Sequence, residues 1–276
     1  MTKSDEGFSD SSPDDGRSWL VPYWLGEAVD LPHFEVIDTR SAQGRLEKRS
    51  KTVTIADLIL FHGHACDGLI RGAYAMRALA DVAFAKGVFD RSDLTVVSKN
   101  SPCLGDVAAY LTGGRVRFGT HRLDNELGVG FVICKHSSGE VFQVREEPGF
   151  FPAIITAWEA ALLDEAIVAN GTLTAEEKAE MVAVNEAQQW DWVRSVLLPT
   201  RPAEHYFVSR LVDFKLPDPI YQARRTDVVN RNVPGAKDYH SPYEYSIDTR
   251  SRKRDVPSMD IWVEKYFEGP PRISSD

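Results

Sequence analysis

Hydrophobic and polar positions between about residues 52 and 163 follow two spacings, one typical of helices and one of strands. In Asp67–Lys86, apolar side chains recur three and four residues apart, and Gly87 follows as a stop signal. This pattern predicts a helix with one apolar face. Leu94–Ser98 is short, apolar and β-branched, which is typical of a buried strand.

The pattern continues with further helices and a hairpin. Asp106–Leu111 predicts a short helix that ends at a pair of glycines. Val129–Lys135 and Glu140–Val144 are separated by a four-residue turn sequence and predict a β-hairpin. Pro152–Asn170 has a helical period, and Thr174–Glu177 matches a capping box that opens another helix. We therefore expect an α+β fold with a mixed sheet flanked by helices.

The chain divides into three regions of different composition. Residues 1–18 are acidic and rich in serine, which predicts a disordered leader. Residues 19–165 form the expected α+β domain, and residues 166–276 are expected to be a helical segment followed by an extended arm or lid. Proline alternates with aromatic and charged residues from Pro199 onward, and a poorly ordered tail is the alternative interpretation of that stretch.

Composition narrows the functional classes. The net charge of −9 and the isoelectric point of about 5.3 argue against a nucleic-acid partner, because binding to phosphate backbones depends on cationic surface. No apolar stretch reaches the ~20 residues of a membrane span. Three cysteines are too few for a disulfide framework and favour a reducing compartment. We expect a soluble, cytoplasmic protein.

The most informative stretch is Phe61–Gly68 (FHGHACDG), just before the first predicted helix. His62, His64 and Cys66 offer imidazole and thiolate donors, which zinc and similar metals prefer. On a strand these three side chains would extend over roughly 13 Å, so a turn at one of the two glycines is needed for all three to reach one ion. Two of the three are expected as ligands, and a hydrogen-bonded turn with a buried cysteine is the alternative.

A second stretch, Ser98–Asp106, leads from a strand into a helix. Cys66 and Cys103 both lie at predicted helix N-termini, where the dipole favours a thiolate. Asp106 lies one turn beyond Cys103, where it could orient a ligand, take a proton or occupy the first helical turn. A buried thiol and a helix cap are the alternative for this pair, and Cys134 is expected in the core.

These residues resemble the FmdE-like family of formylmethanofuran dehydrogenase proteins. Phe61–Gly68 resembles the family signature FHGH-x-C-P-G. Cys103–Ala108 is similar to a C-x-x-D-A block, and Leu111–Gly113 followed by Phe118-Gly119 is similar to an LTG…FG segment. The resemblance extends over about residues 57–144.

The resemblance implies an α+β fold, often dimeric, with a metal-containing cleft. It carries ligand roles onto His62, His64, Cys66 and Cys103, and places Asp106 beside them. The resemblance does not specify a reaction.

The sequence departs from the family pattern at three points. Asp67 replaces the usual proline, and Gly114 stands where many relatives have a cysteine. No cysteine follows Cys134, so the cysteine-rich zinc ribbon of some relatives is absent from this sequence.

Three functions fit these observations. The preferred one is a zinc-dependent or other divalent-metal-dependent enzyme that acts on a small molecule by hydrolytic or lyase-type chemistry, with His62, Cys103 and Asp106 in catalytic roles. The second is a metal-free enzyme with a cysteine nucleophile. The third is a non-catalytic metal-binding accessory subunit of a larger oxidoreductase. A homodimer is expected in each case.

Overall fold

The computed structural model describes residues 20–38, 49–163 and 171–220. The predicted leader (1–18) and most of the predicted arm (221–276) lie outside the described residues. The same holds for 164–170, the end of the helix predicted over Pro152–Asn170. The expected boundary near residue 165 stays a prediction.

Six α-helices lie within the described residues. They are α1 (Ile55–His62), α2 (Asp67–Ala83), α3 (Pro102–Thr112), α4 (Ala153–Leu163), α5 (Ala175–Trp192) and α6 (Pro202–His205).

Eight β-strands accompany these helices in the same ranges. They are β1 (His33–Ile37), β2 (Lys51–Thr54), β3 (Val88–Asp90), β4 (Leu94–Ser98), β5 (His121–Leu123), β6 (Gly130–Lys135), β7 (Val141–Glu146) and β8 (Tyr206–Leu211).

The strands form two sheets, each with parallel and antiparallel pairs. The smaller sheet has the order β2-β1-β3, with β1 antiparallel to β2 and parallel to β3. The larger sheet has the order β5-β4-β6-β7-β8, in which only β4 and β5 pair in parallel. The α+β class with mixed sheets is therefore confirmed.

Helix α2 is the centre of the hydrophobic core. Its side chains at Leu69, Ile70, Met76 and Leu79 are fully buried, together with much of the opposite face. It contacts α3 on one side and β6, β7 and β8 on another. The predicted helix is confirmed, although it ends at Ala83 because the backbone becomes extended at the next residue.

Several other sequence predictions are also confirmed. All five residues of β4 are buried, and β6 and β7 form the expected antiparallel hairpin. Helix α3 begins four residues earlier than predicted, because Pro102 suits the first helical turn. The capping box of α5 is present, since Thr174 accepts from the backbone of Glu177 and the Glu177 side chain accepts from the backbone of Thr174.

Some elements were not predicted from the pattern. Among them, strand β1 lies in the segment before residue 47, and β8 lies in the region predicted to be an arm. Helix α1 precedes the His/Cys stretch. None of the helices in the described ranges has the length and apolar character of a membrane span.

Candidate metal centre

The His/Cys stretch lies where α1 ends and α2 begins. Helix α1 starts with a capping box, in which Thr54 and Asp57 exchange hydrogen bonds. It ends at His62, and Gly63 then turns the chain with a φ of +96°. Such a left-handed conformation favours glycine. The turn at one of the two glycines, required for a shared ion, is therefore present at Gly63.

This turn brings His62, His64 and Cys66 together. One potential ligand atom of each lies within 4.8 Å of those of the other two. The two imidazole rings have centroids 4.4 Å apart, and the Cys66 sulfur lies 3.7 Å from Nε2 of His62. Ligands bound to one zinc ion at about 2.0–2.3 Å lie at most roughly 4.6 Å apart. Small side-chain movements therefore suffice for all three to reach one ion.

Cys66 is also the N-cap residue of α2. Its sulfur accepts a hydrogen bond from the backbone N–H of Leu69, with an N–S distance of 3.4 Å. Asp67 follows, in the place of the family's proline, and pairs with Arg71 one turn later at 3.1 Å. The helix start is thus held from two sides.

Helix α3 adds the second stretch to the same cluster. The Cys103 sulfur, in the first turn of α3, lies 3.3 Å from the sulfur of Cys66. Asp106, one turn further along, has a carboxylate oxygen 2.7 Å from Nδ1 of His62. The two stretches identified in the sequence, 37 and 44 residues apart at these contacts, therefore meet in the fold.

The bond to Asp106 defines the orientation of His62. The His62 side chain is only 3% exposed, whereas that of Asp106 is 36% exposed. When Nδ1 donates to the carboxylate, Nε2 is the free donor atom for a metal, and this nitrogen faces Cys66. Metal-bound histidines commonly use their second nitrogen in this way.

The two sulfurs affect one another's ionisation. The Cys66 thiol donates to Cys103, which together with burial raises the pKa of Cys66. The same hydrogen bond lowers the pKa of Cys103 to about 6, with a further contribution from His62. A thiolate therefore resides on Cys103 near neutral pH.

Two glycines allow α2 and α3 to approach closely. A Cβ atom at Gly68 would lie 3.2 Å from both Cβ and Sγ of Cys103. A Cβ atom at Gly72 would lie 3.0 Å from the buried Leu104 side chain. The absence of side chains at these positions thus brings the Cys103 end of α3 against the Cys66 end of α2.

A buried ion pair holds α2 against the larger sheet. Arg71 donates to both carboxylate oxygens of Glu146 on β7, at 2.6 and 2.9 Å, and its guanidinium lies 3.9 Å from the ring centroid of Phe151. Tyr206 on β8 donates to the same carboxylate. Both members of the ion pair are nearly buried. The position of the metal cluster therefore depends on contacts far along the chain.

A cavity of about 680 Å³ borders the cluster on the side of His64. Trp24 and Trp190 form part of its wall, with ring centroids 5.0 Å apart in an edge-to-face arrangement. Asp191 and Arg194 provide charged groups in the wall. Its volume is within the usual range of small-molecule sites, about 300–1,000 Å³.

The structure assigns surroundings to the remaining predicted residues. Cys134 is buried in β6, as expected. A Cβ atom at Gly114 would lie only 2.8 Å from the Val96 side chain, so the backbone there has no room for the cysteine of relatives. The residues of the cavity wall were not identified from sequence, because Trp24 and Trp190 belong to segments more than 160 residues apart.

Comparison with known proteins gives one family. The model of the family described as "FmdE, Molybdenum formylmethanofuran dehydrogenase operon" matches residues 61–199, half of the chain. A solved structure of an FmdE-like protein of tungsten formylmethanofuran dehydrogenase, from Syntrophus aciditrophicus, is 15% identical, over 56% of this chain and 67% of that chain, with a TM-score of 0.31. No curated protein matches the chain.

Proposed function

The chain belongs to the FmdE family, and on that premise we propose that it is a metal-dependent enzyme acting on a small molecule. The proposed ion is zinc or another divalent transition metal. Its proposed ligands are His62, His64 and Cys66, and Cys103 either completes this set or faces the substrate. The donor set of imidazole and thiolate suits zinc better than hard cations such as Mg²⁺.

The arrangement of His62 carries this proposal. One ring nitrogen is bonded to Asp106, and the other faces the sulfur of Cys66. A histidine in a purely structural turn needs neither a carboxylate behind it nor a thiol in front of it. The pair of contacts is typical of a metal-ligating histidine, in which the carboxylate fixes the tautomer and increases the basicity of the ligating nitrogen.

The chemistry follows from the number of ligands. A zinc ion with three protein ligands and one open position polarises a carbonyl or lowers the pKa of a water molecule. The protein side chains would then position the reactants and move protons. Asp106 holds His62, and the Cys103 thiolate is placed to accept a proton or to attack an electrophilic carbon. Hydrolytic and lyase-type reactions both use these roles.

The cavity beside His64 supports a small-molecule substrate. Its wall combines apolar and aromatic surface with a few polar groups, which is the composition expected for such a site. The substrate would approach the ion from the side of His64, because Gly63, His64 and Ala65 all line the cavity.

A second candidate is a non-catalytic accessory role in a larger oxidoreductase. The family description, which refers to a dehydrogenase operon, supports this interpretation. A stable complex recovered with the tagged chain, combined with no turnover by the isolated protein, would favour it. A third candidate, a metal-free cysteine nucleophile, is supported by the lowered pKa of Cys103. It predicts activity that alkylation abolishes and chelators leave unchanged.

The proposed homodimer has support in the surface of α4. This helix is strongly apolar, yet Ile154 and Leu163 are 65% and 74% exposed, and Trp158 is also exposed. A second copy would cover such a surface. All three cysteines are free thiols, which supports the proposed cytoplasmic location.

The first experiment is elemental analysis of the purified, tag-free chain by plasma mass spectrometry. We expect near-stoichiometric zinc or another transition metal. His64→Ala and Cys66→Ser should each reduce the bound metal, whereas Cys134→Ser, a buried cysteine outside the cluster, should not. Unchanged metal content in the first two variants would refute the assigned ligands.

Activity is tested next on the metal-loaded chain against panels of esters, amides and hydroxy acids. Turnover that a chelator removes and added zinc restores would support the metal-dependent enzyme. Turnover that survives the chelator would refute it in favour of the cysteine nucleophile.

A further inference from the structure

The two cysteines of the cluster form an unusually close pair. Their sulfurs are 3.3 Å apart, although the residues are separated by 37 positions in the chain. Each lies at the start of a helix, Cys66 as the N-cap of α2 and Cys103 in the first turn of α3. Neither is deeply buried. The pair is therefore accessible to a small reagent as well as to a metal ion.

The approach of the two helices holds this pair in place. Gly68 has no side chain at the point where a Cβ atom would touch Cys103. Gly72 permits the next close contact, against Leu104. Rotation of the two side chains about their Cα–Cβ bonds can therefore alter the sulfur–sulfur distance while the helices stay packed.

We propose that Cys66 and Cys103 are a thiol–disulfide exchange site that reacts with small disulfides such as glutathione disulfide. We further propose that the resulting disulfide and the metal ion compete for Cys66, a part that rests on the function proposed above. A disulfide bond is about 2.05 Å long, so the sulfurs must approach by roughly 1.2 Å. The remaining cysteine, Cys134, lies in the interior of β6 and is only 8% exposed.

The exchange occurs in two steps. One protein thiolate attacks a sulfur of the small disulfide, forming a mixed disulfide and releasing one thiolate of the reagent. The second protein thiolate attacks the mixed disulfide at the protein sulfur and releases the other reagent thiolate. In sum, the two cysteines lose two protons and two electrons, and one small disulfide becomes two thiols.

Competition with the metal follows from the shared sulfur. A metal ligates the thiolate form of Cys66, and a disulfide sulfur has no such charge. Oxidation would leave only the imidazoles of His62 and His64 in the cluster. Conversely, a bound ion occupies the Cys66 sulfur and should protect it from attack.

The test uses the full-length chain carrying Cys134→Ser, so that only the pair remains. The reduced protein is incubated with glutathione disulfide, with and without zinc at ten times its measured dissociation constant. Peptide mass spectrometry follows the Cys66–Cys103 cross-link, and plasma mass spectrometry follows the metal. Cys66→Ser and Cys103→Ser in the same background serve as controls, because each retains one thiol and can form only a mixed disulfide.

We expect the cross-link in the metal-free protein and its reversal by reduced glutathione. Zinc should slow its formation about tenfold, since about one-tenth of the protein is then metal-free. The oxidised protein should bind no stoichiometric zinc until it is reduced.

Two results would overturn the proposal, and they differ in what they say about the function. Stoichiometric zinc in the reduced chain, together with mixed disulfides but no cross-link, would refute the exchange site and leave the proposed metal centre intact. A cross-link that forms equally fast with zinc, in a chain that binds none, would refute both the competition and the proposed metal centre.

Discussion

The carboxylate of Asp106 and the imidazole of His62 form the contact on which the proposed ligand geometry depends most. Because the His62 side chain is almost completely buried, its ring has few other polar partners. Loss of the carboxylate would free the ring to adopt the other tautomer, with the wrong nitrogen facing the cluster.

We expect Asp106→Ala to weaken zinc binding by about 10- to 100-fold, because the ring loses its orienting partner. Asp106→Asn should weaken it less, since the amide oxygen still accepts from Nδ1. Competition titration with a chromophoric chelator measures both. Asp81→Asn, at a surface ion pair with Arg77, is the matched control. Equal affinities of the Asp106 variants and the unmodified chain would contradict the orienting role.

His121 is a buried histidine outside the metal cluster, next to Ser98 at 2.8 Å. Burial lowers the pKa of His121 to about 4, although the charge of Asp106 opposes this shift. The unfolded chain, with an ordinary histidine pKa near 6.5, therefore binds a proton at a higher pH than the folded chain. Folding should lose stability as the pH falls from about 6.5 towards 4, and the loss should be absent above this window.

Acidification through this window should cost on the order of 3 kcal/mol at most from His121. His121→Gln should flatten that part of the pH dependence. Urea unfolding at pH 7 and pH 4.5 measures the difference, and His136→Gln provides the control, because His136 is exposed. An identical pH dependence in the His121 variant would show that other groups dominate.

At the scale of elements, the packing of α2 on α3 determines where both cysteines lie. A side chain at Gly72 would press on Leu104, which is itself buried and therefore has little room to move. Gly105, on the second of these helices, has no atom within 4 Å of its would-be Cβ. The two glycines thus distinguish close packing from intrinsic helix propensity.

Gly72→Ala should destabilise the protein by about 1–3 kcal/mol through overpacking, although alanine is the better helix former. Gly105→Ala should be neutral or stabilise it by up to about 1 kcal/mol. Chemical denaturation of both variants measures these changes. A stabilising effect of Gly72→Ala would mean that Leu104 can move aside.

The sequence predicted the elements that have a complete local signal. Helix α2 has one apolar face followed by a glycine, β4 is entirely apolar apart from Thr95 and Ser98, and the hairpin has a turn sequence between its strands. Strand β8 lacks such a signal, because its exposure alternates at a sheet edge within a region rich in proline and aromatics. Helix α1 was missed because its run from Ile55 to Phe61 is nearly all apolar and has no polar face.

The candidate site was predictable to the extent that its residues are close in sequence. His62, His64 and Cys66 lie within five positions, and the sequence alone indicates their shared chemistry. Whether Cys103 and Asp106 join them depends on how α2 and α3 pack, which spacing does not determine. The cavity wall depends on the packing of still more distant segments.

At the scale of the whole molecule, a metal ion would connect parts that otherwise touch only by packing. Its proposed ligands lie at the end of α1, in the following turn and at the cap of α2, and the contacts of Asp106 and Cys103 extend this set to α3. An ion that binds the folded chain more tightly than the unfolded one therefore stabilises the whole domain.

Zinc at one hundred times its dissociation constant should raise the free energy of unfolding by about 2.7 kcal/mol. Urea denaturation with zinc and with a chelator gives the difference. Cys134→Ser should retain the effect and Cys66→Ser should lose it. Absence of any effect in a chain that binds zinc stoichiometrically would mean that the unfolded chain binds it equally well.

The compactness of the His/Cys stretch has a consequence for how the affinity arises. Three donors in five consecutive residues close only short loops, so their chelate effect is almost fully present in a synthetic peptide covering residues 55–70. That peptide lacks Asp106 and Cys103. The ratio of zinc affinities between the intact chain and the peptide therefore measures the preorganisation that the rest of the fold contributes to three neighbouring side chains.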